Sequence, residues 1–296
     1  MGRVVCVHGI GQQHKGMDVL GAEWVPALRD GMRLAGAGEV AGSLAGGDVG
    51  FAFYGDLFRP AGRRLDVGDP WLTADDVTDL ERELLAAWWQ GAAEADAGVI
   101  DPAGRTLAGV PGGAQAALRA LSGSAFFAGV AERALIQDLR QVRLYLTDAE
   151  VRRAVQERVT AAVDDGVRVL VAHSLGSVVA YEALCAHPEW QVEALVTLGA
   201  PLGIRNLIFD RLQPPPVTSP GGLAGRWPGR VTAWTNVADA GDAVALVKDL
   251  RPRFGPQVAC FTVSNGARAH AVSPYLTAKE TGAAIAAALG RPVEPR

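Results

Sequence analysis

Short apolar runs that end in turns recur along this chain and alternate with stretches of helical spacing. Val4-Val5-Cys6-Val7 opens the series, and similar runs predict strands near 3–8, 48–54, 167–172, 192–198, 230–236 and 257–263. Apolar positions three and four apart predict helices near 18–35, 149–164, 175–186 and 275–289. Such alternation predicts an α/β fold with a mostly parallel sheet and helices on both faces. The strands from 167 onward are nearly continuous in apolar residues, as strands buried on both sides are. Ligands in these sheets bind beyond the carboxyl ends of the strands, so the turns after each strand are where chemistry is sought.

Residues 57–145 break the alternation. Asp75 to Ala95 has helical spacing, with Thr73 or Asp75 as its start, and 113–145 reads as one or two helices divided around Ser122-Gly123-Ser124. A Gly/Pro-rich stretch, 98–113, lies between them. This predicts a core made of 1–56 and 146–296, with 57–145 inserted as a mostly helical cap. Trp88, Trp89, Phe126 and Phe127 either line an acyl pocket or are ordinary core residues; exposed, the two tryptophans would form a lipid-binding surface. A second segment, Gln213 to Pro228, carries Pro214-Pro215-Pro216 and Gly221-Gly222 and reads as an exposed loop near the site mouth.

The most informative turn is Ala172-His173-Ser174-Leu175-Gly176, which joins the 167–172 strand to a helix-compatible segment. This is a small-x-Ser-x-Gly variant of the nucleophile elbow, which lifts a serine hydroxyl above a buried sheet. Small residues are needed two positions either side, because strand and helix nearly collide there. The plainer alternative for Ser174 is a helix N-cap.

After the first strand comes His8-Gly9-Ile10-Gly11-Gln12-Gln13. A carbonyl attacked by serine becomes an oxyanion, and backbone N–H groups must already point at it. A glycine-rich turn can aim one because no side chain blocks the approach. The pair predicted is the N–H of Ile10 with the N–H of Leu175, with Gly9, Gly11, His173 and Tyr54 around the bound substrate. Both phosphate-loop templates fail at Gln12-Gln13-His14. Tyr54 ends the second strand on the same side and is expected to turn its hydroxyl into the pocket; Asp56 caps the next segment.

A serine nucleophile needs a base and a carboxylate that fixes the base's tautomer. Of five histidines, His8 and His173 lie inside the two motifs as loop supports. His187 precedes Pro188 as surface punctuation, and His14 sits in a polar loop. His270 lies in the loop after the last strand, where a base is expected. The carboxylate comes from Ala238-Asp239-Ala240-Gly241-Asp242. Asp242 is preferred because the Ala240-Gly241 turn brings it back over the strand end. Asp239 is the rival, more at home bonding the turn itself.

The order Ser174, Asp242, His270 is the α/β-hydrolase order. With VHGIGQQ (7–13), VAHSLGSVVAYEAL (171–184), LGAPLG (198–203) and WTNVADAGDAVA (234–245), the chain resembles the α/β-hydrolase superfamily, within it the lipase- and esterase-like serine hydrolases. The resemblance spans nearly everything outside 57–145. Departures are Ala172 for the first glycine of the elbow, and a sheet that begins at what would be the third strand of the full fold. The resemblance implies hydrolysis of carboxylic esters, lipid esters among them. A peptidase, a thioesterase or a non-catalytic binding member of the fold are the alternatives.

Composition narrows the rest. The 296 residues are 49% hydrophobic, enough for one domain plus an insertion. A net charge of −4 and the lack of a basic run argue against a nucleic-acid partner. Cys6, Cys185 and Cys260 fall in predicted strand, helix and strand without a C-x-x-C pair, so no metal site is expected and the thiols read as core residues in a reducing compartment. Met1-Gly2-Arg3 leads straight into the first strand without a secretory pattern, and no run is long enough to span a membrane. The expectation is a cytoplasmic, cofactor-free protein.

Overall fold

The computed structural model describes residues 3–59, 72–99, 113–124 and 132–290. Its first half runs β1 (Val4–Val7), α1 (Met17–Leu34), α2 (Gly38–Ser43), β2 (Val49–Ala52), α3 (Asp79–Ala95), α4 (Gly113–Gly123), α5 (Glu132–Thr147) and α6 (Ala149–Ala162). The second half runs β3 (Val169–His173), α7 (Leu175–Ala186), β4 (Ala194–Leu198), β5 (Val217–Ser219), β6 (Gly222–Ala224), β7 (Ala233–Asp239), α8 (Arg251–Phe254), β8 (Ala259–Val263), α9 (Val272–Thr277) and α10 (Lys279–Leu289). Six strands form one sheet in the order β2-β1-β3-β4-β7-β8, every neighbouring pair parallel. This is a mixed α/β, α/β-hydrolase-like fold.

Period-two alternation sorts the strand side chains onto two cores. Val5, Val7, Leu170, Ala172 and Leu195 join one cluster with residues of α3 to α7, such as Leu84, Leu118, Leu139 and Val178. Val4, Cys6, Val169, Val171 and Val196 join the other, with Leu28 of α1, Tyr275 of α9 and Ile285 of α10. Burying a side chain of this kind contributes about 1.5–3 kcal/mol, so neither face of the sheet can be left bare. Helices α3, α4 and α5 therefore share one core with the sheet. Trp88 and Trp89 are buried in it, at 2% and 7% exposure, and so present no lipid-binding surface. Phe126 and Phe127 lie outside the described residues.

Several boundaries differ from expectation. Helix α3 starts at Asp79, not at 75, because Thr78 and Glu81 close a capping box there; Thr73 instead caps a single 3-10 turn, Ala74–Asp76. Strand β7 begins three residues later than predicted, since its ladder with β4 pairs Ala194 with Ala233, and it continues to Asp239. The predicted 275–289 helix is two helices, divided at Ala278, whose backbone is extended (φ −60°, ψ 134°). The 213–228 segment is not all loop, because β5 and β6 form a small antiparallel hairpin. Strand β8, expected to be buried on both sides, is a sheet edge with Ala259, Phe261 and Thr262 exposed. Among the described residues, no helix is long and apolar enough to cross a membrane.

Candidate active site

Ser174 occupies the turn between β3 and α7 with φ 54° and ψ −129°, a conformation few non-glycine residues adopt. Two local bonds hold it there. The Ser174 N–H donates to the Leu198 carbonyl at 2.9 Å, and the Ser177 hydroxyl donates to the Ala172 carbonyl at 3.0 Å. The collision expected of such a turn is visible at Gly176, where a Cβ would lie 2.4 Å from the carbonyl oxygens of Val7 and His8. At Gly9 it would lie 2.7 Å from the Ser174 Cβ. The glycines thus let the β1 loop close against the serine.

The carboxyl ends of β3, β7 and β8 bring three side chains into line. His270 Nε2 is 2.9 Å from Ser174 Oγ, and His270 Nδ1 is 2.8 Å from Asp242 Oδ2. Asp242 is 1% exposed. Its Oδ1 accepts from the N–H groups of Val244 and Ala245 at 2.8 and 3.1 Å, and its Oδ2 also accepts from the Tyr275 hydroxyl at 2.6 Å. Burial alone would raise this carboxyl; the charge and hydrogen bond of His270, the Tyr275 hydroxyl and the Ala245 N–H outweigh it and hold Asp242 below its ordinary value. A carboxylate kept ionised in this way fixes the His270 tautomer, with Nδ1 protonated and Nε2 able to accept the serine proton.

Asp239, the rival acid, faces elsewhere. Its Oδ1 accepts from Gly241 N–H at 2.7 Å, closing an Asx turn, and its Oδ2 accepts from the backbone N–H of Asn265. It ties the β7 loop to the loop that carries His270. The Asp239 N–H donates to the Tyr275 hydroxyl at 2.7 Å, so Tyr275 bridges both aspartate positions. Nothing in the local pattern of Val272-Ser273-Pro274-Tyr275-Leu276 marks that tyrosine; it reads as an apolar helix residue.

His173 packs beside the site, not in it. Its ring lies 4.8 Å from that of His270, and its Nε2 donates to the His270 carbonyl at 2.9 Å. Burial lowers its pKa to about 3, so it stays neutral. His8 is likewise lowered by burial, to about 4. Its Nδ1 bonds the Gly9 carbonyl at 2.7 Å while its Nε2 accepts from Tyr54 N–H at 3.1 Å. Tyr54 does not turn its hydroxyl into a pocket: the ring stacks on His8 at 4.0 Å and the hydroxyl donates to the His8 carbonyl. Both residues brace the β1 loop. Asp56 accepts an ion pair from Arg158 at 2.8 Å.

The same loop is braced from α5. Gly11 N–H donates to Gln141 Oε1, and Gln141 Nε2 donates to Gln13 Oε1, both at 3.3 Å. Gln12 bonds back to the Ile10 carbonyl at 3.2 Å. The Ile10 N–H takes part in none of these bonds, and the Leu175 N–H, in the first turn of α7, has no intrahelical acceptor. Among the described residues, neither N–H has a backbone acceptor. Among the described residues, no group of three or more His, Cys, Asp or Glu side chains is placed to hold a metal ion. A cavity of about 330 Å³, lined by Arg152, Gln156, Glu182 and His187 among others, opens at the other end of α7. It lies roughly 16 Å along the helix from Ser174 and is separate from this constellation.

The comparisons with known proteins add no relative: no family model matches the chain, and neither the curated proteins nor the solved structures contain a match.

Proposed function

We propose that this chain is a serine hydrolase that cleaves carboxylic esters through an acyl-enzyme on Ser174. The observation that carries the reading is the continuous path from Ser174 Oγ through His270 to Asp242, at 2.9 and 2.8 Å, across the ends of parallel strands. Ser174 Oγ bonds to the ester carbonyl carbon as its proton passes to His270 Nε2. The N–H groups of Ile10 and Leu175 hold the oxyanion, and Asp242 stabilises the imidazolium. Collapse breaks the carbon–alkoxide bond, and the histidine gives its proton to the departing alcohol. Water then attacks the acyl carbon with the same histidine as base and releases the acid.

In this reading 57–145 is a cap that shapes access to the site, and lipid esters are among the candidate substrates. The three free thiols suit a reducing compartment such as the cytoplasm. Burial pushes all three thiols up, that of Cys185 to about 11, so none is held as a reactive thiolate at neutral pH.

Labelling with a fluorescent fluorophosphonate tests the proposal. Wild type should label, Ser174→Ala should not, and His270→Ala should label far more slowly. Asp242→Asn should slow labelling much more than Asp239→Asn. A folded wild-type protein that never labels would sink the reading.

A further inference from the structure

Helix α5 presents two polar side chains to the β1 loop, one turn apart. Gln141 is satisfied by Gly11 and Gln13. Asp138 is different. A Cβ on Gly11 would lie 3.4 Å from Asp138 Oδ1 and 3.8 Å from Oδ2, so the carboxyl rests directly against the loop. Among the described residues it has neither a hydrogen-bond nor an ion-pair partner. It is half-buried, and burial pushes its pKa up to about 7, while the charge on His270 pulls the other way. Its carboxyl is thus within electrostatic reach of the histidine.

Position limits what Asp138 can meet. Gly9 touches Ser174, and the two residues from Gly9 to Gly11 span at most about 7 Å. A group near Asp138 and a carbonyl held at Ser174 are therefore close enough to belong to one small ester. Two carboxyls and one histidine that can carry charge, His270, define the electrostatics here. Asp242 and Asp138 are the carboxyls, and His8 and His173 are held neutral by burial. The Asp138 carboxyl is only partly withdrawn from water, and pairing with a cation would offset the cost of that burial. An anionic group would instead meet two carboxylates.

Resting on the ester-hydrolase reading, we propose that Asp138 is a specificity residue and that the substrate class is esters carrying an ammonium group two to four atoms from the scissile carbonyl. Asp138 pairs with that cation while Ser174 takes the carbonyl. It has no place in the proton path and does not touch the reacting atoms.

Two measurements test this, and they fail separately. The first compares kcat/KM for butyrylcholine with that for its uncharged isostere, 3,3-dimethylbutyl butyrate, in wild type and in Asp138→Asn. The asparagine keeps the shape and removes the charge. Wild type should prefer the cationic ester, and the cationic-to-neutral ratio should fall at least about tenfold in Asp138→Asn. The second measures calorimetric binding of butyltrimethylammonium to Ser174→Ala protein, with and without Asp138→Asn; the added substitution should weaken binding at least about tenfold. Ester turnover with a ratio and a binding constant indifferent to Asp138→Asn overturns the proposal and leaves the hydrolase reading intact. So does failure of the ammonium to bind Ser174→Ala at all. Asp138-dependent binding without turnover of any ester does the reverse: the cation site stands and the hydrolase reading falls.

Discussion

Replacing Tyr275 by phenylalanine removes one hydroxyl that serves two buried partners. It donates to Asp242 Oδ2 at 2.6 Å and accepts from the Asp239 N–H at 2.7 Å. A hydrogen bond to a charged group is worth about 1.5–3 kcal/mol, and a buried N–H left unpaired costs about 1–3 kcal/mol. The two losses share one atom and do not add in full, so Tyr275→Phe should lower stability by about 2–4 kcal/mol. For a chain of this size that is a fall in Tm of roughly 5–10 °C. The ring remains to fill its space, so the cost is polar and not a cavity. Asp242 keeps the donors from His270, Val244 and Ala245, but its carboxylate is freer to rotate away from His270. The second-order rate of fluorophosphonate labelling should therefore drop about 10- to 100-fold, well short of the ~10⁴ that loss of the acid's charge costs in the serine-protease template. Thermal melts and timed labelling measure both effects on one preparation. A variant that loses stability but labels within twofold of wild type would refute the positioning role; an unchanged Tm would refute the hydrogen-bond accounting.

Gly9→Ala would put a Cβ 2.7 Å from Ser174 Cβ and 3.1 Å from the His173 carbonyl. The β1 loop must shift, and labelling should fall at least about 100-fold; normal labelling would mean the loop does not set the site. Asp138 also gives a pH signature. Its folded pKa of about 7 lies above the reference of 3.8, so the unfolded chain loses this proton first and the group destabilises the fold as pH rises from 4 to 7. The Tm of Asp138→Asn relative to wild type should therefore climb across that window, with a ceiling of about 4 kcal/mol. A flat difference between pH 4 and 7 contradicts it. His8 and His173 act with the opposite sign. Their folded pKa values of about 4 and about 3 lie below the reference of 6.5, so the stability they contribute is complete above pH 6.5 and is lost as pH falls toward 4. In Asp138→Asn, with the opposing carboxyl gone, that acid loss should be steeper than in wild type. Tyr145→Phe removes a 2.6 Å bond to buried Glu182 and should cost about 1.5–3 kcal/mol with labelling unchanged, because neither residue touches the site.

Legibility in the sequence followed the range of the interactions. The small-x-Ser-x-Gly turn is a local object: five residues set the strained serine and its crowding, and the φ of 54° at Ser174 is the conformation that motif demands. Strand and helix alternation is local too, and it predicted the α/β class that the six-stranded parallel sheet displays. Strand β8 misled because an apolar run says that a strand can be buried, not that anything covers it; at the sheet edge nothing among the described residues covers Phe261. Tyr54 misled for a related reason. Its place at a strand end is a sequence fact, but whether its hydroxyl meets substrate or the His8 carbonyl depends on how two loops from separate strands meet.

The choice between Asp239 and Asp242 shows where sequence stops. Both lie in one turn, three residues apart, and each has the chemistry. What separates them is that backbone N–H groups from Gly241 and Asn265 occupy Asp239, whereas Asp242 meets a histidine 28 residues away. Tyr275 and Asp138 acquire their neighbours in the same way, one through a helix packed against α1 and β4 and the other through a helix that meets the β1 loop. The sequence by itself determined the main strands and helices, the strained serine turn and the set of groups able to do chemistry, because these depend on residues within a few positions of each other. Only the tertiary structure decided which acid faces the histidine, which histidines stay neutral and which carboxyl has no partner among the described residues. Each of those depends on desolvation and hydrogen bonding between segments that meet only when the sheet is assembled.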